Sequence, residues 1–356
     1  MLTVGVEEEF LLLDSDGHLA PGGPEVAEAT EEPEGELQPE LARCQVESAT
    51  GVCSSAGELA GQLHRLRERL AVEAGARGLR LVPTASPLLP EPVPPRITPT
   101  PRYRRMARSF GALAHTGTTC GCHVHVAIPD RETGVRVANH ARPWLPVLLA
   151  LTANSPFHDG EDTGYASWRH ILWSRWPSAG PPPVFASADH YESLVEALLH
   201  AGALLDRGMV YWDIRLSEKQ PTLEFRVSDV AATPGEATLL GLLARGLAGL
   251  ALDDLDAPPP AVSQEVLRGN LWRAARDGVP GCCLHPLTGE LMPVLAQLDE
   301  LLDRVAPVLR ETAGDLEFAR EELARLHETG GGANRQRAAY ARRGRFADVV
   351  DFLAVN

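Results

Sequence analysis

The stretch that most restricts how the chain can fold is Thr3-Val4-Gly5-Val6-Glu7-Glu8-Glu9-Phe10-Leu11-Leu12-Leu13-Asp14. Its apolar and β-branched residues read as a strand, in which side chains alternate between faces. Glu7 and Glu9 then share one face, while Val6, Glu8 and Phe10 share the other. Glutamate is a poor strand former, and two carboxylates pointing the same way repel unless a cation lies between them. The strand is either a sheet edge with its acids in water or one wall of a divalent-metal site.

Length and charge narrow the rest. A chain of 356 residues is long enough to bury a sizeable core. Its formal net charge of -15 argues against nucleic acid or an anionic membrane surface as a direct partner, since both need a basic face. No apolar run reads as a membrane span and no basic-then-hydrophobic leader is seen, so a cytoplasmic protein is expected. Cys44, Cys53, Cys120, Cys122, Cys282 and Cys283 form no pair of C-x-x-C motifs and are read as reduced, mostly buried thiols.

More strands with polar faces follow. Residues 15–40, rich in Glu and Pro, read as a solvated loop without chemistry. Leu41 to Ser48 alternates so that Arg43, Gln45 and Glu47 face one way, which makes Glu47 a third candidate ligand. Ser55 and Glu58 have capping-box spacing for a helix over 56–76, whose Arg65, Arg67 and Arg69 read as solvent charges. Leu79 to Val82 is a short strand, the proline-dense 83–101 an extended surface loop, and Arg102 to His115 a helix. In the strand Cys120 to Ile128, His123 and His125 share a face, and the nearby Cys120 and Cys122 make a Cys/His zinc site a competing reading.

Residues 131–153 predict a helix interrupted at Pro143 and Pro146. The loop that follows gathers Tyr165, Trp168, Arg169, Trp173 and Trp176, as either a ligand-facing surface or a packing cluster. Asp189 with Glu192 predicts a helix start running through Leu205. Met209 to Leu216, with Asp213 and Arg215 on one face, and Thr222 to Asp229, with Thr222, Glu224, Arg226 and Ser228 on one polar face, read as paired strands. Thr233-Pro234-Gly235-Glu236 opens a Leu-rich helix to Leu252, and helices are expected at 263–276, 293–312, 315–328, 335–343 and 346–354 around an insert at Cys282 to Leu291. The apolar helices after residue 235 either cover the sheet or form a contact in a homo-oligomer. Gly330-Gly331-Gly332 lacks the Lys-Ser/Thr of a P-loop, but Arg335 and Arg337 behind it are candidate phosphate contacts.

Glu7, Glu9, Glu47, His123, His125, Glu224 and Arg226 thus lie on strand faces that can meet. Carboxylates, imidazole and Arg around a cleft suit Mg²⁺ or Mn²⁺ holding a nucleoside triphosphate.

Five motifs in order carry a resemblance: Gly5-Val6-Glu7-Glu8-Glu9-Phe10, Gly121-Cys122-His123-Val124-His125-Val126, Ala153-Asn154-Ser155-Pro156-Phe157, Gly164-Tyr165-Ala166-Ser167-Trp168-Arg169 and Thr222-Leu223-Glu224-Phe225-Arg226-Val227. Together they resemble the carboxylate-amine ligase family, relatives of glutamate–cysteine ligase, over nearly the whole chain. The resemblance implies an α+β fold of glutamine-synthetase type: a curved antiparallel sheet of about six strands forming a funnel, with helices packed outside. One catalytic domain would span 1–356, mostly helical from about 235. It also implies ATP-dependent amide formation between a small-molecule carboxylate and an amine, through an acyl phosphate. By motif, Glu7, Glu9, Glu47, His125 and Glu224 would bind Mg²⁺ or Mn²⁺, with His123 an alternative to His125, and Arg226 would stabilise the transferring phosphoryl group. Arg169, with Tyr165, Trp168 and Asn154, is the expected substrate-binding set. Where family members tend to carry Gly-Thr-His-Pro, this chain has Thr84-Ala85-Ser86-Pro87, which leaves the acid and the amine open. The competing readings are a zinc hydrolase on the Cys/His strand and a non-catalytic binder of a nucleotide or amino acid.

Overall fold

The expected strands assemble into one antiparallel sheet in a computed structural model that describes residues 2–29, 35–90, 96–115 and 118–355. Portions of the two loop readings, at residues 30–34 and 91–95, lie outside the described residues.

In chain order the first half comprises β1 (Val4–Leu13), α1 (Gly23–Ala29), β2 (Glu36–Pro39), β3 (Gln45–Ala49), α2 (Ala56–Gly75) and β4 (Arg80–Val82). Next come α3 (Pro101–Phe110), α4 (Ala112–His115), β5 (Gly121–Ala127), α5 (Arg131–Ala141), α6 (Leu145–Thr152), β6 (Phe157–His158), β7 (Glu161–Asp162) and α7 (Trp168–Trp173). After α8 (Ala188–His200), the strands β8 (Ile214–Leu216) and β9 (Thr222–Asp229) complete the sheet. The remainder is α9 (Pro234–Asp253), α10 (Gln264–Asp277), the hairpin β10 (Cys282–Leu284) and β11 (Leu291–Pro293), α11 (Val294–Leu309), α12 (Asp315–Thr329), α13 (Gly332–Ala341) and α14 (Phe346–Leu353).

The sheet has seven strands, in the order β2-β3-β1-β5-β9-β8, with β4 pairing the far end of β1. β1 is therefore central, and its alternation decides both faces. Val4 and Val6 turn back into a core with Cys122, Val124, Val126, Phe225 and the leucines of α9. Glu7 and Glu9 turn to the front, half-buried. By length and composition α9 would suit a membrane span, but 83% of that apolar window is buried here, so it is the helix that backs the sheet. Gly246 makes the close packing possible, because a Cβ there would lie 2.5 Å from Val305 of α11. Thr233 caps α9 as expected, accepting from the Glu236 N–H. The Glu236 carboxylate, however, pairs with Arg325 and Arg335 instead of closing a capping box.

Several expectations are corrected. The acidic loop contains α1 and β2, whose backbone pairs with β3. Arg67 is not a solvent charge: it is 2% exposed and bonds both oxygens of Glu8 behind the sheet. Residues 83–88 are buried and not a surface loop, and Ser86 donates to the Phe157 carbonyl at 2.8 Å. The helix expected through Leu205 starts from Ser187 as its cap and ends at His200. Asp229, fully buried, accepts from the Asn154 N–H and from the Ser155 and Ser167 hydroxyls, which ties the loop after α6 to the end of β9.

Candidate active site

Strand register brings the predicted acids and imidazoles together on the front of the sheet. Glu9 lies opposite Glu47 on β3, Glu7 opposite His123 on β5, and His125 opposite Glu224 on β9. Side chains paired across an antiparallel sheet are neighbours on one face. Two groups result, Glu7 with His125 and Glu224, and Glu9 with Glu40 and Glu47, and in each group one ligand atom per residue falls within 4.8 Å of the others. Glu40 follows directly on β2 and had been assigned to the loop without chemistry. The signal available was its place at the end of a short alternating stretch seven residues before Glu47.

Among the described residues no protein cation balances the second group. Burial, then the charge of Glu40, pushes the Glu9 carboxyl up to about 7, in spite of Arg169, the Gly121 N–H and Arg226. Glu47 is pushed well above its usual value by burial and then by Glu40, Glu7 and Glu9, and burial raises Glu40 as well. Three mutually repelling half-buried carboxylates are the donor set that a hard divalent cation satisfies. The Gly121 N–H bonds Glu9 Oε2 at 2.6 Å, and a Cβ on Gly121 would sit 2.4 Å from Arg169 Nη2. A side chain there would press on the Arg169 guanidinium and the His123 ring, and the contact places Arg169 beside this group.

The first group is balanced differently. Burial raises Glu7, but the adjacent imidazoles of His123 and His125 outweigh it and hold the carboxylate well below its usual value. Burial likewise opposes ionisation of Glu224, yet Arg226 and then Arg215 keep it strongly acidic. Arg215 bonds Glu224 from Nε at 2.7 Å and from Nη2 at 3.2 Å, and Arg226 bonds Glu224 Oε1 through Nη1. Arg215 was seen in the sequence only as a residue on a strand face. A bulge sets Arg226 and Val227 of β9 against the single residue His123, and such an insertion re-aims side chains.

The two histidines separate. His125 Nδ1 lies 2.8 Å from Thr222 Oγ1, which leaves Nε2 without a hydrogen-bond partner, 3.3 Å from Glu7 Oε1 and 3.9 Å from Glu224 Oε1. An imidazole oriented through one nitrogen with the other free among carboxylates is how metal-binding histidines are held. His123 also leaves Nε2 without a partner, but it falls in neither metal-capable group: its Nδ1 lies 3.3 Å from Glu7 and 3.4 Å from Arg226, and burial followed by Arg226 pushes it down to about 4, so it is neutral. Of the pair, His125 is the one that falls within a metal-capable group.

Other expected residues lie elsewhere. Asn154 is fully buried, with its amide bonded to the Pro83 and Val230 carbonyls and to Gln336, so it is corrected from a substrate contact to a packing residue. Arg335 bonds Glu236 and the Gly330 carbonyl, and Arg337 bonds Asp162 and the Tyr165 carbonyl, so neither joins the carboxylate groups and their expected phosphate contact gains no support. Half-buried Tyr165 accepts from Trp272 and packs against Trp168. Trp173 and Trp176 pack on Tyr211, with the Arg169 guanidinium 5.8 Å above the Trp173 ring. Neither metal-capable group among the described residues contains a cysteine. Burial pushes the Cys120 and Cys122 thiols well up, which disfavours the thiolate that zinc needs.

Comparison with known proteins agrees with this layout. Residues 3–351 match the model of the glutamate-cysteine ligase family 2. A protein of Rhodococcus jostii, named "Putative glutamate--cysteine ligase 2-1", is 54% identical over 99% of this chain and 95% of its own length. One of the same name from Saccharopolyspora erythraea is 49% identical over 99% of this chain and 94% of its own. Among solved structures, the glutamate–cysteine ligase of Francisella tularensis in complex with AMP superposes with a TM-score of 0.72 at 13% identity, over 99% of this chain and 87% of that one. A bifunctional glutathione synthetase from Pasteurella multocida gives 0.71 at 17%, over 99% of this chain and 52% of that one. At those identities the likeness is one of fold.

Proposed function

The chain belongs to the glutamate–cysteine ligase family 2, and from that membership we propose that it is a Mg²⁺- or Mn²⁺-dependent ligase that uses ATP to join a small-molecule carboxylate to an amine through an acyl phosphate. The observation that carries this reading is the pair of acid groups, Glu7/His125/Glu224 and Glu9/Glu40/Glu47, on one face of the sheet. They fit Mg²⁺ or Mn²⁺ better than zinc, because five of the six donors are carboxylates and one an imidazole. When bound, the metal supplies charge neutralisation for phosphate oxygens.

The protein's own residues do the rest. A substrate carboxylate oxygen attacks the γ-phosphorus of ATP, and the bond to ADP breaks. The amine nitrogen then attacks the acyl carbon, phosphate leaves, and the nitrogen loses a proton. Arg226, held permanently charged against Glu224, is the group placed to stabilise the transferring phosphoryl oxygens. Arg215 holds the far side of Glu224, so that Arg226 is not drawn out of line. Arg169, beside Gly121 and Glu9, is the candidate contact for a substrate carboxylate.

The test is release of ADP and phosphate from ATP and Mg²⁺ across a panel of acids and amines, added singly and in pairs, with hydroxylamine present in parallel. Turnover that needs one acid and one amine, together with an acid hydroxamate formed without the amine, is the expected result. Phosphate release that no acid stimulates would overturn it.

A further inference from the structure

The helix α10 buries one face and leaves the other without a partner. Leu267, Asn270, Leu271, Ala274 and Ala275 are buried on the side that packs on α6. Asn270 and Arg273 bind the hairpin β10–β11 through the Leu284 backbone and the Cys282 carbonyl. Glu265, Val266, Arg268, Gly269, Trp272 and Arg276 are exposed. Val266 is 49% exposed and Trp272 45%, and on the hairpin segment Leu287 is 46% and Leu291 50% exposed. Among the described residues these are four of the eight large apolar side chains left exposed, a concentration on one helix and the hairpin it holds. Val266 and Leu287 line one cleft of about 650 Å³, and Gly269 and Trp272 line a second of about 500 Å³.

Two features of α10 say what covers this face. Gly269 sits mid-helix, where glycine is a poor helix former, yet a Cβ there would meet nothing inside the chain within 4 Å. A bare glycine on an exposed helix admits the close approach of another backbone. The charges are also ordered along the helix, with Glu265 in its first turn and Arg276 in its last. At 3.6 residues per turn both lie to the same side of Gly269, about 40° and 20° away. A second α10, antiparallel and related by a two-fold axis at Gly269, therefore sets Glu265 of each copy against Arg276 of the other. Net charge singles out the same helix. Two chains of -15 repel over most of their surface, but α10 carries Arg268, Arg273 and Arg276 against only Glu265 and Asp277. We propose that the outer face of α10 is the contact of a symmetric homodimer, crossing at Gly269, with Val266, Trp272 and Leu287 of each copy closing around it.

The test is the mass of the protein in solution, by sedimentation equilibrium over a range of concentrations. The wild type is expected as two chains that separate on dilution. Gly269→Gln, Val266→Glu, Glu265→Arg and Arg276→Glu are each checked for folding by thermal melting. Gly269→Gln is the safest of them, because its Cβ has room within the chain. Each is expected to raise the dissociation constant by about 30-fold or more, the mark of an interface hot spot. Glu265→Arg combined with Arg276→Glu restores opposite charges across the axis and should recover wild-type pairing. A wild type of one chain at every concentration would overturn the dimer and leave this face to a different protein. So would a dimer that neither Gly269→Gln nor the single charge reversals weaken, because its contact then lies elsewhere. Masses that grow beyond two chains would also sink it, since a two-fold contact closes on itself.

Discussion

Glu8 and Glu9 are consecutive residues of β1, and the fold treats them in opposite ways. Behind the sheet, Glu8 is fully buried and accepts from Arg67 Nε at 2.9 Å and Nη2 at 2.5 Å, while Arg67 also donates to the Ala231 carbonyl at 2.9 Å. In front, Glu9 joins Glu40 and Glu47 with no arginine close enough to offset burial. A carboxylate that the protein itself neutralises is architecture. One left among other carboxylates marks where a ligand must supply the charge.

The largest effect that separates the two is on stability. Arg67→Ala leaves Glu8 buried and unpaired and is expected to lower the unfolding free energy by about 3–5 kcal/mol, as breaking a buried pair does. The double change Glu8→Leu with Arg67→Met removes both charges and should recover most of that loss. Glu9→Gln is expected to leave the metal-free protein as stable as the wild type or more so. Denaturant unfolding measures all three, and equal destabilisation by Arg67→Ala and Glu9→Gln would break the comparison.

The next effect is on catalysis, with the order reversed. Glu47→Gln is expected to cut ATP-dependent ligation by about 10²–10³-fold, roughly 2.7–4 kcal/mol of transition-state stabilisation, in a protein that still folds. The Glu8→Leu/Arg67→Met protein should stay within several-fold of wild type. Full activity in Glu47→Gln would remove the metal assignment.

This contrast also explains what the sequence disclosed. Alternation alone set Glu7 and Glu9 against Glu8, and parity placed His123, His125, Glu224 and Arg226 on faces that meet in the fold. The sequence could not say which imidazole joins the carboxylates, because that turns on contacts across neighbouring strands, His125 with Thr222 and His123 with Arg226. Arg67 was misread because, beside Arg65 and Arg69 on an amphipathic helix, it looks like solvent charge until Glu8 appears beneath it. Glu40 was lost because acid-rich composition masked a four-residue strand that pairs with β3 across a short connection. Asp213 was visible as a residue on the face of Arg215, but that its buried Oδ2 has no hydrogen-bond partner is a property of packing alone.

Metal linkage gives a smaller effect. An ion that binds only the folded state stabilises it by about 2.7 kcal/mol at one hundred times its dissociation constant. Mg²⁺ or Mn²⁺ is expected to raise the wild-type melting temperature, EDTA to reverse this, and the Glu8→Leu/Arg67→Met protein to respond like wild type. Glu47→Gln should respond less. An unchanged response in Glu47→Gln would mean that the ions act elsewhere on this acidic chain.

The smallest effect is the pH dependence of the front group, and its sign discriminates. Glu9 is raised from an ordinary value of 4.5 to about 7, so between those limits the folded metal-free protein holds a proton that the unfolded chain has released. Stability contributed by this group is present below 4.5 and lost as pH rises towards 7, by up to about 1.4 kcal/mol per pH unit. His123, lowered to about 4, acts in the opposite sense over part of the same range. The informative quantity is therefore the difference between wild type and Glu9→Gln, measured by urea unfolding from pH 5 to 7.5 without metal. That difference should turn against the wild type as pH rises. With Mg²⁺ present it should reverse, because the ion displaces the proton and its affinity grows with pH up to about 7. A difference that favours the wild type at high pH without metal would mean that the fold already balances Glu9, and the distinction between the two faces of β1 would fall.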